Sequence, residues 1–263
     1  MAAIAGTAAL TTSSQAALLL YEGFDYKAGD LDGKGSGADL GWTGSWTGLD
    51  GKIEVKDGTL QHPAALPAVG GHAEADGDGG IYQRGVEKNV FKNLEQVGGV
   101  VWTTFIADFD NDGFAKMSFN MGHRNANFGL NHDGATHTLV LGDNVVEIGE
   151  NDFPPGADDR LYKFKLTRIK STINDVARFR LQLFAPNVPT PEADLVEIAA
   201  VTENLRTFGQ DSNKFIVAAE DVEFDEIRIG EFDPDVELVP EPASMAALAL
   251  GGLGLLRRKR RNS

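Results

Sequence analysis

The chain contains no cysteine, which excludes disulfide bonds, thiolate zinc sites and a cysteine nucleophile. It also has few basic residues: 24 lysines and arginines stand against 39 aspartates and glutamates, for a formal net charge of −15. Five of those cations are consecutive near the C-terminus, so residues 1–256 carry 19 cations against 39 acids, a net charge of −20. A surface this acidic repels nucleic acid, and we expect no nucleic-acid partner.

Common catalytic and metal-binding patterns are missing as well. The sequence has no Gly-x-Ser-x-Gly turn of the kind that presents a catalytic serine. Its five histidines are scattered and form neither His-x-x-x-His nor Glu-x-x-His, the spacings that bind metal ions. Pattern alone therefore assigns no catalytic residue.

Hydrophobic periodicity predicts strands almost throughout the chain. Apolar and polar residues alternate over 162–167 and again over 178–183, which indicates a hairpin with one buried face. With 31 glycines and frequent turn signals, the pattern favours an all-β, two-sheet antiparallel sandwich. Further strands are predicted at 51–56, 100–109, 114–121, 127–131, 137–141, 194–199, 214–219 and 222–230, with a short helical turn at 202–208.

The C-terminal segment has three parts in a fixed order. An apolar run at 243–256 would span about 21 Å as a helix, short of the roughly 30 Å of a bilayer core, so we predict a short transmembrane helix that holds the chain temporarily. The basic residues after it are a positive-inside stop. An ordinary tail anchor and a helix packed on the domain are the alternatives. The motif before the run is Val239, Pro240, Glu241 and Pro242, and the basic cluster after it is Arg257, Arg258, Lys259, Arg260 and Arg261.

This order of motif, apolar run and basic cluster resembles the PEP-CTERM sorting signal of Gram-negative exopolysaccharide producers. The resemblance covers residues 239–261. It implies recognition by a membrane-embedded exosortase at the inner membrane, cleavage near the Pro-Glu-Pro, and release or attachment at the cell surface. At the other end, residues 1–17 are predicted to be a signal peptide, because they are uncharged and Ser14-Gln15-Ala16 places small residues where a signal peptidase reads. The usual basic start is missing, so the signal is either weak or truncated.

Residues 18–235 are predicted to form one domain, followed by the sorting signal at 236–263. Three stretches resemble the concanavalin A-like, LamG-type jelly roll: Leu-Tyr-Glu-Gly-Phe-Asp-Tyr at 20–26, Gly-Trp-Thr-Gly-Ser-Trp at 41–46 and Phe-Asp-Glu-Ile-Arg-Ile-Gly at 224–230. The resemblance implies that the first and last strands lie side by side in one sheet. It implies a fold more strongly than an activity.

Two calcium sites are predicted. Asp108, Asp110 and Asp112 precede Gly113 and match positions 1, 3, 5 and 6 of a calcium loop, although Phe119 stands where a bidentate glutamate is expected. The alternative for this stretch is an ordinary hairpin turn between two apolar strands. The jelly-roll resemblance implies a second site between the first and last strands, at Glu22 and Asp225. Either carboxylate could equally be a solvated or salt-bridged strand residue.

A carboxylate row is the candidate for glycan cleavage. Asp221, Glu223 and Asp225 would share one strand face at roughly 6.5–7 Å intervals, within the ~5–9 Å that glycoside hydrolysis needs. Family 16 glucanases, which share the jelly roll, carry a third acid that this stretch lacks. The row is therefore predicted to be non-catalytic.

Two further groups of residues each have two possible roles. Trp42 and Trp46 are either a stacking platform for sugar rings or core residues. The basic residues of the predicted hairpin either dock an anionic polysaccharide or pair with neighbouring acids. They are Lys163, Lys165, Arg178 and Arg180.

We therefore predict an exported, exosortase-sorted surface or matrix protein. Its jelly-roll domain is non-catalytic and contacts an extracellular polysaccharide or another protein. The alternative class is a glycan-active enzyme, either a glycoside hydrolase or a polysaccharide lyase. Such an enzyme would need a cleft with two convergent carboxylates or with tyrosine, histidine and arginine together.

Overall fold

The computed structural model describes residues 18–35, 40–60, 70–87, 90–119, 128–134, 136–149, 160–171, 176–184, 195–206 and 214–233. This part of the chain is built from strands and one 3₁₀ turn, Lys92–Glu95. The strands are β1 Leu18–Glu22, β2 Gly29–Asp30, β3 Trp42–Gly51, β4 Glu54–Asp57, β5 Gly71–Ala75, β6 Gly80–Val86, β7 Val100–Phe119, β8 Phe128–Asp133, β9 Thr136–Leu141, β10 Asn144–Gly149, β11 Arg160–Ser171, β12 Val176–Phe184, β13 Glu197–Arg206 and β14 Lys214–Gly230.

Two long strands, β7 and β14, join two antiparallel sheets. The second half of β7 and the first half of β14 lie in the first sheet, which has the order β10-β9-β8-β7-β14-β6-β3. The first half of β7 and the second half of β14 lie in the second sheet, with the order β13-β12-β11-β7-β14-β1. Beside β1, strand β5 also pairs with β14 and leads on to β4 and β2.

Bulges mark the places where the long strands pass between sheets. Between the pairs Glu220–Phe114 and Val222–Phe109, residues 110–113 of β7 lie opposite the single residue Asp221, whose φ is 46°. A second shift follows between Asp225 and Arg228. Because extra residues on one strand bend it and increase its twist, these bulges let one pair of strands serve both sheets.

The predicted all-β, two-sheet antiparallel jelly-roll sandwich is confirmed. The hairpin predicted around 171–175 is formed by β11 and β12. The expected adjacency of the first and last strands is also confirmed, since Leu20 pairs with Ile229 and Glu22 with Ile227. Alternating side chains of both sheets meet in one large apolar cluster that includes residues from β1 through β14.

Two local predictions are wrong. Residues 108–113 form no hairpin turn; they lie within the continuous strand β7, whose register shifts there by a bulge without ending the strand. Thr202–Arg206 is not helical either, because it pairs with β12 as part of β13. Strands β2, β3, β5, β6 and β10 were not predicted, since they are short or contain glycine and charged residues, which mask the alternation.

The predicted targeting segments lie outside the described residues. These are the predicted signal peptide at 1–17 and the predicted transmembrane helix at 243–256. Within the part that the structure describes, no helix is long and apolar enough to cross a membrane.

Two glycines provide a matched test of this packing. Gly41 and Gly44 have similar left-handed φ values, +72° and +79°, but a Cβ on Gly41 would lie 2.0 Å from the Leu19 carbonyl oxygen, whereas Gly44 has open space. We expect Gly44→Ala to cost about 1 kcal/mol, the strain of the backbone alone. Gly41→Ala should cost ~3 kcal/mol or more, because the β1 backbone must also move. Urea denaturation of both variants measures the difference, and equal costs would mean that β1 does not pack against Gly41.

Candidate functional site

A buried ion pair joins β1 to β6 inside the sandwich. Both residues continue the inward alternation of their strands, Glu22 after Leu20 and Arg84 after Tyr82. Arg84 Nη1 lies 2.7 Å from Glu22 Oε2, and the two side chains are 1% and 3% exposed. A pair this deep is stable only if its remaining polar atoms are also satisfied.

The partners of Glu22 satisfy both of its carboxylate oxygens. Trp46 Nε1 and the Tyr26 hydroxyl each donate to Oε2 at 2.9 Å, and the Phe24 backbone N–H donates to Oε1 at 3.0 Å. Burial raises the pKa of Glu22, while the Arg84 guanidinium and these donors oppose that rise. The network is a structural one that fixes β1 on the core.

Arg84 is satisfied in the same way. Its Nε donates to the Gly44 carbonyl oxygen at 3.0 Å and its Nη2 to the Gly35 carbonyl oxygen at 2.8 Å. Its guanidinium carbon also lies 4.9 Å from the centre of the Trp42 ring. The arginine therefore ties the loop before β3 and the start of β3 to the same network.

Glu22 does not suit calcium. A cation placed on its carboxylate would have to displace three hydrogen-bond donors and sit next to the Arg84 guanidinium, whose positive charge repels it. Asp225, the other predicted ligand, is the residue after Phe224, which points into the core. The structure therefore gives Glu22 the salt-bridged role that the sequence left as an alternative.

Trp42 and Trp46 are core residues, and the stacking-platform interpretation is wrong for both. They are 0% and 1% exposed, and their ring centroids lie 5.8 Å apart. Both rings also pack on Phe215 of β14. A sugar ring cannot reach either indole in this structure.

Asp225 is a fully buried carboxyl group. Its Oδ1 accepts the Glu226 backbone N–H at 2.7 Å, and its exposed fraction is 0%. Burial raises the pKa of Asp225 to about 8, and the nearby charges of Glu226 and Glu22 add to the rise. At neutral pH the group is therefore mostly protonated.

The carboxylate row does not converge on an open cleft. Asp221 lies at the bulge, where its Oδ1 accepts the Gly77 backbone N–H at 2.8 Å. Glu223 lies 3.5 Å from His72 Nε2. Asp225 is sealed from solvent, so this row cannot place two carboxyl groups across a sugar bond.

The other predicted calcium site is partly described. Asp108 and Asp112 lie in β7, where Asp112 pairs with Asp133 of β8 and Gly113 with His132. The side chain of Asp110 is outside the described residues. Among the residues that the structure does describe, no three His, Asp or Glu side chains are grouped as metal ligands. Calcium at Asp108, Asp110 and Asp112 stays a prediction.

A tyrosine, histidine and arginine group lies at one end of the core, and sequence reasoning missed it. The rings of His132 and His137 are 4.5 Å apart between centroids, and Arg160 Nη1 lies 3.2 Å from His137 Nε2. Tyr162 and Phe109 pack beside them. The available signal was the inward alternation of β8, β9 and β11, which each histidine and Tyr162 continue.

This group is the combination that a polysaccharide lyase would need, but its tyrosine and His137 are too deeply buried. Burial lowers the pKa of His137 to about 3 and raises that of Tyr162 well above its usual range. Tyr162 is fully buried and His137 nearly so. A catalytic base must contact its substrate, so these side chains close the end of the core instead.

Three of the four basic residues on β11 and β12 have acidic or aromatic partners, and the fourth, Arg178, donates to the Thr202 hydroxyl. Lys163 is buried and forms an ion pair with Asp233, and Arg180 Nη2 lies 2.9 Å from Glu197 Oε1. Lys165 Nζ lies 5.0 Å from the centre of the buried Trp102 ring. For Lys163 and Arg180 the pairing alternative is therefore the one observed.

The outer face of the first sheet carries both apolar and charged side chains. One row of paired residues crosses six of its strands. Beside this row, Lys116 Nζ lies 4.4 Å from the centre of the Phe114 ring. The face thus combines apolar side chains, an aromatic ring and a charged group. The row is Val145, Val140, Gly129, Lys116, Ala218 and Ile81.

Residues 238–261 match the PEP-CTERM protein-sorting motif. The chain carries a PEP-CTERM sorting signal. This match confirms the prediction made for residues 239–261 from the order of motif, apolar run and basic cluster. It indicates a protein that a Gram-negative bacterium exports and sorts to the cell surface.

Comparison with curated proteins finds no match. Among solved structures, a protein of unknown function from Shewanella oneidensis MR-1 is 11% identical, with 81% of this chain and 88% of that chain covered and a TM-score of 0.40. A botulinum neurotoxin type C structure, described as depending on two ganglioside molecules for cell entry, is 10% identical over 78% of this chain and 48% of its own, with a TM-score of 0.36. A bifunctional GH43-CE protein from Bacteroides eggerthii is 9% identical, covers 68% and 22%, and has a TM-score of 0.31.

The buried ion pair should be far more sensitive to mutation than an exposed one. Arg84→Met leaves Glu22 buried without its counter-charge, and we expect a loss of ~4 kcal/mol in the free energy of unfolding. Arg180→Met, which breaks the exposed pair with Glu197, should cost ~0.5 kcal/mol. Adding Glu22→Gln to Arg84→Met should recover part of the loss. Guanidinium denaturation checks all three, and similar costs for the two arginines would contradict the network.

Asp225 should make stability depend on pH. Its folded pKa of about 8 lies above the ordinary value of 3.8, so the unfolded chain releases the proton first as the pH rises. Stability from this group is therefore fully present below pH ~4 and declines up to pH ~8. Asp225→Asn imitates the protonated acid and should remove that decline, leaving the variant close to wild type near pH ~4 and more stable near pH ~8. Thermal melts across this range measure the difference, and parallel curves would mean that Asp225 is ionised in the fold.

Proposed function

We propose that the protein is an exosortase substrate whose jelly-roll domain is displayed on the cell surface or in the extracellular matrix. The match of residues 238–261 to the sorting motif carries this proposal. The apolar run at 243–256 would hold the chain in the inner membrane, and the basic cluster would keep the extreme C-terminus in the cytoplasm. Cleavage near Pro240-Glu241-Pro242 would then free the domain from the membrane.

Replacing the five basic residues tests the sorting step. With Arg257, Arg258, Lys259, Arg260 and Arg261 changed to Gln, the positive-inside stop is lost, and we expect the uncleaved form to accumulate or the protein to be mislocalised in a host with an exosortase. Immunoblots of fractionated cells measure the processed fraction. Five changes to Gln at exposed or half-buried lysines of the domain, Lys27, Lys34, Lys52, Lys92 and Lys170, are a control for total charge. Normal processing of the tail variant would mean that the tail is not read as a sorting signal.

We also propose that the domain binds its partner without cleaving it, with an extracellular polysaccharide as the partner class. The carboxylate row contains a sealed member, and His137 and Tyr162 are buried, so neither group supports acid-base attack on a polymer. The outer face of the first sheet is the contact surface that we propose. Its aromatic ring, Phe114, and its charged group, Lys116, are the kinds of group that contact sugars by stacking and by hydrogen bonds.

A glycan array and a product assay test binding and turnover separately. The purified chain should bind at least one bacterial or algal polysaccharide on the array. Phe114→Ala should weaken that binding about tenfold. Val97→Ala, which changes an exposed apolar side chain in the loop before β7, should leave the binding unchanged. Incubation with the same panel should release no reducing ends and no unsaturated products. Product that disappears in a folded Glu223→Gln variant would establish the alternative, a glycan-active enzyme.

Calcium is the proposed cofactor of the domain. Oxygen-rich acids suit a hard cation, and the chain has no cysteine to favour a soft one. If Asp108, Asp110 and Asp112 bind calcium, the ion should raise the melting temperature and a chelator should reverse the rise. Asp112→Asn should reduce the effect. No shift with either reagent would leave these residues as ordinary surface acids.

A further inference from the structure

Seven aspartates of the chain are followed directly by glycine, and all seven pairs lie in the described residues. An Asp–Gly pair can rearrange without an enzyme, because glycine has no side chain to hinder the attack of its backbone nitrogen on the preceding carboxyl group. The fold decides where each nitrogen and each carboxyl group is held. The seven aspartates are Asp32, Asp50, Asp57, Asp76, Asp78, Asp112 and Asp133.

In one pair the two reacting groups are directed at each other. The backbone N–H of Gly51 donates to Oδ1 of Asp50, the residue before it, at 3.0 Å, and both residues are exposed. A separation of about 3–3.5 Å is the range from which groups held in one molecule react. The pair lies at the end of β3, which among the described strands pairs only with β6, so water reaches it.

In three of the other pairs one reacting group is held elsewhere. The Gly33 N–H donates to the Trp46 carbonyl oxygen at 2.9 Å. The Gly77 N–H donates to Oδ1 of Asp221 at 2.8 Å. Oδ1 of Asp133 accepts the backbone N–H and the hydroxyl of the residue three positions further on, at 2.9 and 2.8 Å. The fold therefore favours the pair at β3 over these three.

We propose that Asp50 is a site of spontaneous isoaspartate formation in the folded protein. The Gly51 nitrogen forms a bond to Cγ of Asp50, the Cγ–Oδ1 bond breaks, and the oxygen leaves as water with the amide proton and one proton from solvent. Water then opens the resulting succinimide ring. Attack of that water on the backbone carbonyl carbon leaves the chain running through Cγ, with a free α-carboxylate. One water is released and one is consumed, so the reaction needs no oxidant, reductant or enzyme.

The rearrangement adds one methylene group to the backbone where the packing is tight. A Cβ on Gly51 would lie 2.0 Å from the Gly79 carbonyl oxygen, and Lys52 donates its N–H to that same oxygen at 2.8 Å. Gly51 also pairs with Gly80, the first residue of β6. A longer backbone cannot keep these contacts unchanged, because close-packed atoms leave no room for it. The β3–β6 edge is therefore the part of the domain that loosens as isoaspartate accumulates.

Peptide mapping of the purified full chain tests the site. The chain is incubated at mildly acidic pH and physiological temperature, and electron-transfer fragmentation distinguishes isoaspartate from aspartate at each Asp–Gly pair. Isoaspartate should form about fivefold faster at Asp50 than at Asp32 or Asp76, the bias that one hydrogen bond gives to an arrangement. In urea this preference should disappear, because the fold no longer directs the Gly51 nitrogen at the carboxyl group. A succinimide, lighter by one water, should precede isoaspartate at Asp50.

Matched variants connect the signal to the Asp50 carboxyl group. Asp50→Glu moves the carboxyl group one methylene further along the side chain and should abolish the signal at this position. Asp57→Glu makes the same change at another exposed Asp–Gly pair and should leave the rate at Asp50 unchanged. Thermal melts establish that both variants are folded.

Two results would overturn the proposal. Equal rates at Asp50, Asp32 and Asp76 in the folded chain would show that the hydrogen bond to Gly51 does not select the site. A preference for Asp50 that persists in urea would assign the selection to local sequence and not to the fold. Both measurements use the wild-type chain, so neither depends on the folding of a variant. They involve no polysaccharide and no exosortase, and their outcome is independent of the proposed function.

Discussion

The pairing of β7 with β14 is the interaction on which the rest of the structure depends. Each strand contributes one half to each sheet, so their shared ladder both joins the sheets and sets their relative bend. The ladder can do this only because residues 110–113 are accommodated opposite Asp221. Without that bulge, the inward alternation of one half would fall out of register with the core of the other.

The charged groups inside the sandwich favour one arrangement of the chain over others. A buried ion pair contributes little net stability compared with an apolar core, but Glu22 and Arg84 are satisfied only when β1, β3 and β6 are correctly placed. Asp225 acts differently, because burial raises its pKa to about 8 and the group is mostly protonated at neutral pH. The interior therefore uses both solutions to the cost of burying a carboxyl group, a counter-charge and a retained proton.

Period-two alternation made most of the fold predictable, and its limits explain the errors. The β11–β12 hairpin was readable because six apolar residues keep the alternation on both sides of the turn. The Asp108–Gly113 stretch was misread because aspartate, asparagine and glycine favour turns, whereas a bulge needs tertiary context to be recognised. Glu22 and Trp46 were identified as notable residues, but their role depended on Arg84, which lies inside the core on β6, a strand that was not predicted. The His132–Tyr162 group brings together residues from three strands, and a single sequence does not show which strands are neighbours.

The central position of β14 has a mechanical consequence. This strand is bonded to β7 on one side and to β6, β5 and β1 on the other. A surface protein held by its C-terminal tail would receive any pulling force at the end of β14. Because that force runs along the strand, it would load the hydrogen bonds on both sides in shear together instead of opening them one at a time. A tether at this end would thus pull on a strand that is hydrogen-bonded along both of its edges.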